Sequence, residues 1–358
     1  MANISSQQAR AQFTSMLIAV FSDMRAPTSF LRSMFPSEQA FVKYLSIEVM
    51  RNYENIAVDV ARGSEGNTNT FAKSTEKTME PPLYNEKFNM TEIDLYDRLF
   101  GNESVSIGVY TQLMQTIAQR LSILRAKIER AYEKQCADVL LTGVVTLVNS
   151  STIDFRRKAA SMVNLGAGNY WADANTDPFA DLGAACKFLR QTGKSGSGRF
   201  RAIIGETAFD DLYANAAFKS RVTQNLNNNI DTISAPVLNS EGGVPHGILS
   251  CGSWKVELWT YPQTYDVAGV ATQYIDPKKF IVTPTDTVFK LGFAAVPQIL
   301  TAWTGGIGEP SLAPIAAQPY VVDHFPAPNN DAHWMRIKSA GIAIPVSVDR
   351  IYTGQAVA

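Results

Sequence analysis

Residues Thr192-Gly193-Lys194-Ser195 have the composition of the end of a phosphate-binding loop, in which a lysine and a hydroxyl group contact nucleotide phosphates and magnesium. The motif requires an earlier glycine at position 188, but this position is Phe188. A phosphate-binding loop also follows a strand, whereas this segment follows a predicted helix. We therefore interpret residues 193–198 as a helix C-cap followed by a Gly/Ser loop.

The three histidines, His246, His324 and His333, are the side chains best suited to bind a metal or to transfer protons near neutral pH. None has the spacing of a metal motif, and no cysteine or carboxylate pair completes one. We interpret Asp323-His324, in a proline-rich connection, as a polar turn rather than a catalytic dyad. The sequence therefore predicts no metal ligand and no cofactor.

Nucleophilic chemistry has no recognisable motif either. Ser104 and Ser106 precede a long helical pattern and are expected to cap it, and no Gly-x-Ser-x-Gly elbow occurs. Four glutamates are expected on solvated strand or arm faces: Glu48, Glu54, Glu86 and Glu92. We predict no catalytic residue and no enzymatic activity. An α+β hydrolase whose acid/base pair is assembled from distant residues remains the alternative from another functional class.

The charge pattern gives no strong attraction to nucleic acid. The 32 basic and 33 acidic residues leave a net charge of −1. Basic residues cluster only at Arg156-Arg157-Lys158 and at Arg199/Arg201, which we interpret as solvated or ion-paired faces. Any contact with DNA is expected to be local, weak and non-specific.

The composition is that of a folded protein with 46% hydrophobic residues in 358, enough for two or three compact units. Its three cysteines, an odd number without paired spacing, argue against a disulfide framework and fit a reducing cytoplasm. The N-terminal sequence lacks the features of a signal peptide or membrane anchor. We expect no association with a membrane.

Two N-terminal segments cannot enclose a core of their own. Residues 1–52 combine apolar side chains at helical spacing with breaks at Pro27 and Pro36. Residues 53–103 predict a two-stranded excursion, with one strand at 56–60, a return strand near 88–95 and a polar stretch between them. Because an isolated ribbon is marginally stable, an ordered excursion needs support, which points to a neighbouring chain. A flexible surface loop is the alternative.

Residues 106–142 predict one long amphipathic helix, with apolar side chains at three- and four-residue steps and Gly143 as its end. Its length would be about 55 Å, well beyond that of an ordinary globular helix.

The remaining sequence predicts an α+β body. Its expected elements are a hairpin at 144–155, a helix capped by Asp177, a strand at 201–204, a helix within 206–226, strands between 248 and 301, and a late strand at 342–348.

Four local sequences carry a resemblance to a known family. They are Phe30-Leu31-Arg32-Ser33-Met34-Phe35-Pro36, Val58-Asp59-Val60-Ala61-Arg62-Gly63, Leu140-Leu141-Thr142-Gly143, and Ile337-Lys338-Ser339-Ala340-Gly341-Ile342-Ala343-Ile344-Pro345. With the order of elements above, they resemble the major capsid protein E family of lambda-like tailed bacteriophages over nearly the whole chain.

The resemblance implies the HK97-type capsid fold. Residues 1–52 would be the N-terminal arm and 53–103 an extended E-loop. Residues 104–199 and 325–358 would form a peripheral domain around the 106–142 spine helix, and 200–324 an axial domain.

The resemblance also implies a function. Pentamers and hexamers of the chain would form an icosahedral shell enclosing phage DNA, assembled in the host cytoplasm, with portal, scaffold and decoration proteins as further partners. A shell of the same fold around enzyme cargo, as in encapsulins, is the alternative. The residues expected at the assembly interface are Phe30, Leu31, Phe35, Arg62, Gly63, Phe71, Lys73 and Lys77.

Overall fold

A computed structural model describes the helices, the sheets and the paired part of the predicted excursion. The structure describes residues 29–40, 42, 44–49, 75–91, 107–147, 152–227, 232–233, 237–267, 269–296, 298–300, 311–313, 318–326 and 332–358. The predicted helix near the N-terminus and the predicted strand at 56–60 lie outside these residues.

The described chain is a mixture of helices and strands, named here in chain order. The helices are α1 (Phe30–Ser33), α2 (Ile107–Leu141), α3 (Pro178–Gln191), α4 (Glu206–Ala214) and α5 (Ala216–Asn227). The strands are β1 (Ser37–Gln39), β2 (Leu45–Val49), β3 (Thr75–Met79), β4 (Leu83–Thr91), β5 (Val144–Thr146), β6 (Thr152–Asp154), β7 (Met162–Asn164), β8 (Arg199–Ile204), β9 (Thr232–Ile233), β10 (Val244–Cys251), β11 (Trp254–Thr260), β12 (Thr264–Val267), β13 (Val270–Gln273), β14 (Lys279–Pro284), β15 (Phe289–Phe293), β16 (Gln298–Leu300), β17 (Ser311–Ala313), β18 (Val321–Pro326), β19 (Ala332–Pro345) and β20 (Tyr352–Gln355).

Helix α2 confirms the predicted long helix to within one residue at each end. Its 35 residues span about 52 Å at 1.5 Å per residue. Gly143 follows with a φ of +73°, and its amide donates to the carbonyls of Asp138 and Val139 at 3.2 and 3.0 Å. An L side chain is strained at this φ, and a Cβ there would lie 2.4 Å from Cδ of Arg157. Glycine therefore ends the helix as predicted.

A five-stranded sheet is built around β19, the long strand near the C-terminus. The order is β1-β15-β19-β18, and β4 also pairs with β19. The first part of β19 lies between β4 and β18, and its last part pairs with β15. Helix α2 packs against this strand, so one strand joins the long helix to segments from both halves of the sequence.

A seven-stranded sheet, in the order β7-β20-β14-β8-β11-β10-β9, is buried on both faces near its centre. In β8, the side chains of Phe200, Ala202 and Ile204 face a core formed with the helices α3 to α5. Ile203 points the other way, into the core around α2. Because strand side chains alternate between faces, this apolar run serves both cores at once.

Among the helices over this sheet, α3 has the predicted cap, whereas the next predicted helix is divided in two. Helix α3 begins at Pro178 and is capped by Asp177, whose carboxylate accepts a hydrogen bond from the amide of Phe179 at 3.1 Å. The region predicted to contain one helix holds two, separated by Asn215. The Asn215 side-chain amide donates to the carbonyls of Trp171 and Thr176 at 3.0 and 3.1 Å, which fixes the break between α4 and α5.

The strand pairing around the predicted excursion differs from the prediction. β2 pairs with β3, so the described part of the ribbon lies between residues 45 and 79. The strand expected to return the excursion is present as β4, but its partner is β19, from the far end of the sequence. The returning strand is therefore β3, in a stretch that the sequence pattern assigned to the polar connection.

The two cores also divide the chain differently from the predicted boundaries. α3 and β7 precede residue 200, and β20 lies beyond residue 325, yet all three belong to the seven-stranded sheet or its helices. β15 and β18 lie within 200–324 but belong to the five-stranded sheet. Each sheet is therefore assembled from several distant segments of the chain, because strand pairing depends on contacts between distant residues.

Arg157 corrects the interpretation of the basic cluster as a solvated or ion-paired face. Its side chain is buried, and its guanidinium donates to the carbonyls of Leu140, Ser161 and Ile351 and to the hydroxyl of Thr353, at 2.9 to 3.2 Å. Burial lowers the pKa of Arg157 to about 10. This one side chain ties the last turn of α2 to β20, and thus the long helix to the seven-stranded sheet.

Substitution Arg157→Met should destabilise the subunit by about 3 kcal/mol, because several buried acceptors lose their donor at once. The measurement is urea unfolding of the protein. Arg156→Met is the matched control, since Arg156 is exposed and its loss is expected to change the unfolding free energy by no more than about 0.5 kcal/mol. Equal stability of the two variants would contradict this role for Arg157.

Candidate functional site: anchoring of the segments expected at the assembly interface

Three residues expected at the interface, Phe30, Leu31 and Phe35, are buried within their own chain. Phe30 stacks on Trp259 with ring centroids 5.1 Å apart, and Phe35 stacks on Phe289 at 4.6 Å. Leu31 is fully buried. The large apolar side chains of this segment are thus covered by residues of the same chain.

Glu133 on α2 holds the backbone of α1. Its two carboxylate oxygens accept hydrogen bonds from the amides of Leu31 and Arg32, each at 2.9 Å. These amides belong to the first turn of α1 and have no partner within it, so the carboxylate acts as a cap supplied by a distant helix. Burial raises the pKa of Glu133, although hydrogen bonds from Tyr261 and from the two amides partly oppose the shift.

Glu129, one turn earlier on α2, gathers three side chains. It forms an ion pair with Arg32, accepts a hydrogen bond from the hydroxyl of Tyr320, and lies 3.5 Å from Nε of Arg125. The guanidinium of Arg32 also lies 5.9 Å from the centre of the Tyr132 ring. The point where α1 meets α2 is therefore held by buried charges as well as by apolar packing.

The same part of α2 binds β19. The hydroxyl of Tyr132 hydrogen-bonds Ser339 at 2.5 Å, and the side chain of Gln135 accepts from the amide of Ala343 at 3.2 Å. Gly341 lies between these contacts, and a Cβ there would come within 2.8 Å of the Tyr132 ring. A side chain at position 341 would force the strand away from the helix.

The β2–β3 ribbon is anchored to the same core at its root. Leu45 and Met79 are directly opposite in the register, and both are buried. Lys77 lies in β3, opposite Ile47. The other residues expected at the interface lie outside the described part of the chain: Arg62, Gly63, Phe71 and Lys73.

No role was assigned to Glu129 or Glu133 from the sequence. Both are buried. They directly follow the buried Ile128 and Tyr132, so each lies about 100° around the helix from an apolar position. The position of each glutamate next to an apolar residue was the available signal. It indicates burial only if the buried face of α2 is wide, which the sequence did not show.

The residues first considered for chemistry have structural roles or no assembled site. Gly193 follows helix α3, in agreement with the C-cap interpretation. Asp323 lies in β18 rather than in a turn, and it pairs with Arg336 at 2.5 Å and Lys338 at 3.2 Å. Within the described residues, no group of histidine, cysteine and carboxylate side chains could hold a metal ion.

The second basic cluster is ion-paired, as the sequence analysis proposed. Glu257 lies 2.5 Å from Nε of Arg199 and 3.8 Å from Nε of Arg201. Among the helices that the structure describes, none has the length and apolar character needed to cross a bilayer.

Comparison with known families decides what this fold is used for. Residues 13–356 match the family phage major capsid protein E. The chain belongs to this family. It is therefore a shell-forming capsid protein of a phage and a component of the virion. No protein of curated function matches it in sequence.

Among the solved structures that share the fold of this capsid protein are two phage-related ones. A protein assigned as the capsid protein of an Escherichia coli CFT073 prophage superposes with a TM-score of 0.63 at 14% identity, covering 98% of this chain and 99% of the other. A phage-related protein from Bordetella bronchiseptica RB50 has a TM-score of 0.50 at 10% identity, covering 96% of each chain. The likeness confirms the HK97-type capsid fold.

Variant Glu133→Gln should reveal the buried carboxyl through its pH dependence. A raised folded-state pKa means that the stability contributed by Glu133 is present below the ordinary glutamate pKa and is lost as the pH rises towards the raised value. The variant lacks this contribution. The free energy of unfolding of the wild type, relative to the variant, should therefore be larger at about pH 4 than at about pH 7.

Leu31→Ala is the control for this measurement, because it weakens the same contact without removing a titratable group. Its destabilisation relative to wild type should be similar at both pH values. An advantage of the wild type over Glu133→Gln that grows with pH would contradict the assignment.

Proposed function

We propose that the capsid protein closes into rings of five and six subunits that form an icosahedral shell around phage DNA. The single observation that supports this arrangement best is the β2–β3 ribbon. It is rooted in the core through Leu45 and Met79, while in the described residues its strands pair only with each other. The ribbon would carry residues 50–74 from a fixed root on one subunit to the surface of the next.

In this proposal the interface residues divide into two groups. Phe30, Leu31 and Phe35 would anchor the N-terminal segment to its own subunit, because their side chains are buried. Direct contact with a neighbouring subunit falls to the excursion, through Arg62, Gly63, Phe71, Lys73 and Lys77. The polar, glycine-containing sequence around Gly63 would let the excursion adapt to rings of different size.

We further propose that the protein acts through geometry and has no catalytic activity. Ring contacts between identical subunits would be heterologous, so that closure sets the number of subunits. Each subunit would share several interfaces that together bury more than about 2,000 Å², as permanent assemblies do. The proposal also includes portal, scaffold and decoration proteins as partners. It further includes weak contacts with packaged DNA and assembly in the host cytoplasm.

Replacing residues 50–74 by a short Asn-Gly turn should leave a folded subunit that forms no shells. The replacement stops at residue 74 because β3 begins at Thr75, and the pairing of Thr75 with Val49 then closes a hairpin. Circular dichroism and urea unfolding report the fold, while sedimentation and electron microscopy report assembly.

In a second variant, residues 50–74 are replaced by a Gly/Ser linker of equal length. It tests whether the excursion acts through its length or through its side chains. We expect it to fail in assembly as well, because it lacks Phe71 and the charged residues of the excursion. Shells of normal size from either variant would overturn the role proposed for the excursion.

A further inference from the structure

A groove of about 520 Å³ opens between helix α3, the turn that joins β10 to β11, and helix α5. Two small residues of α3, Ala180 and Gly183, form part of its wall. Small side chains at a helix surface allow another helix to approach closely, since the distance between helix axes depends on the side chains at the contact. The principal large side chains of the lining are Phe179, Lys187, Arg190, Arg221 and Trp254.

The groove carries more positive than negative charge. Lys187 is exposed and has no anionic partner within the part of the chain that the structure describes. Arg190 donates to the carbonyl of Ser195 rather than to a carboxylate. Arg221 pairs with Asp177 at 3.0 Å but leaves 53% of its side chain exposed. Three cations therefore face one carboxylate at the rim of an open groove.

Helix α4 presents the opposite pattern. Glu206, Asp210 and Tyr213 are exposed and occupy positions i, i+4 and i+7, which lie on one face of a helix. Asp210 and the adjacent Asp211 have no cationic partner among the described residues. Partial burial, together with the charge of Asp210, raises the pKa of Asp211, as expected where carboxylates crowd without a counter-ion.

The groove and the acidic face of α4 lie near opposite ends of strand β8. Lys255, next to the groove residue Trp254, pairs with Arg199 at the start of β8. Helix α4 begins at Glu206, and Gly205 alone separates it from Ile204, the last residue of β8. Six residues of strand separate these points by roughly 20 Å. Two different, complementary surfaces placed apart in this way are what a head-to-tail ring requires.

We propose that the acidic face of α4 on one subunit docks into the basic groove beside α3 on the next subunit of a ring. The inference rests on the proposed ring function and names the surfaces that close the ring. Lys187 would pair with the carboxylates of Asp210 and Asp211, and Tyr213 would pack against the aromatic lining. Such contacts fix partner orientation and register more than they supply affinity.

The test exchanges the two charges. Lys187→Glu alone and Asp210→Lys alone should each lower the assembled fraction by about tenfold or more, because like charges then face each other. The double variant restores opposite charges between positions 187 and 210 of each contact and should recover assembly. Lys219→Glu, which reverses an exposed cation outside the groove lining, is the control and should assemble normally.

An equimolar mixture of the two single variants gives a sharper result. Each variant can contact only the other, so closed rings must alternate and contain an even number of subunits. Electron microscopy should therefore show six-membered rings and no five-membered rings. If a charge-reversed variant loses the circular dichroism of the native fold, the neutral variants Lys187→Gln and Asp210→Asn are used in its place. Each neutral single variant should then show a smaller loss of assembly.

Three outcomes would overturn the inference. They are normal assembly of either charge-reversed variant, failure of the double variant to assemble, and loss of binding to labelled duplex DNA by Lys187→Glu without loss of assembly. The last outcome would assign the groove to nucleic acid. Absence of five- and six-membered rings from the wild type would instead count against the proposed function itself.

Discussion

The structure depends on a buried polar surface along the C-terminal half of the long helix α2. Glu129 and Glu133 lie within the core, where an unpaired carboxylate would be costly. Their charges are compensated by the amides of α1, by Arg32 and by Tyr320, which come from segments far apart in the sequence. Because these contacts are directional, they fix where the N-terminal segment and the strands around β19 meet the helix in a way that apolar packing alone would not.

The long helix is also joined to the second core, so the two parts of the subunit are linked at several points. Arg157 connects the end of α2 with β20, and the strand β8 exposes alternate side chains to both cores. The β2–β3 ribbon, whose excursion is proposed to contact neighbouring subunits, is rooted in this linked body through Leu45 and Met79.

Local physical rules predicted the elements that depend on nearby residues. The helix 107–141 was found from its apolar spacing and its terminal glycine, and α3 from the Asp177 cap followed by Pro178. The α+β class and the family resemblance followed from the order of these elements. The segment Phe30–Phe35 was expected to need cover because large apolar side chains are costly to expose to water, and Phe30, Leu31 and Phe35 are buried.

What the sequence determined, then, was which segments form helices and strands and which of them need to be covered, because both depend on periodicity and on the cost of exposing apolar surface. Tertiary structure alone decided which distant segments meet. It gave β4 the partner β19, assembled each core from several stretches, and made Glu133 and Arg157 internal anchors rather than surface charges. The physical reason is that a charge or a strand edge becomes favourable in a core only when its specific partner is present, and that partner lies far along the chain.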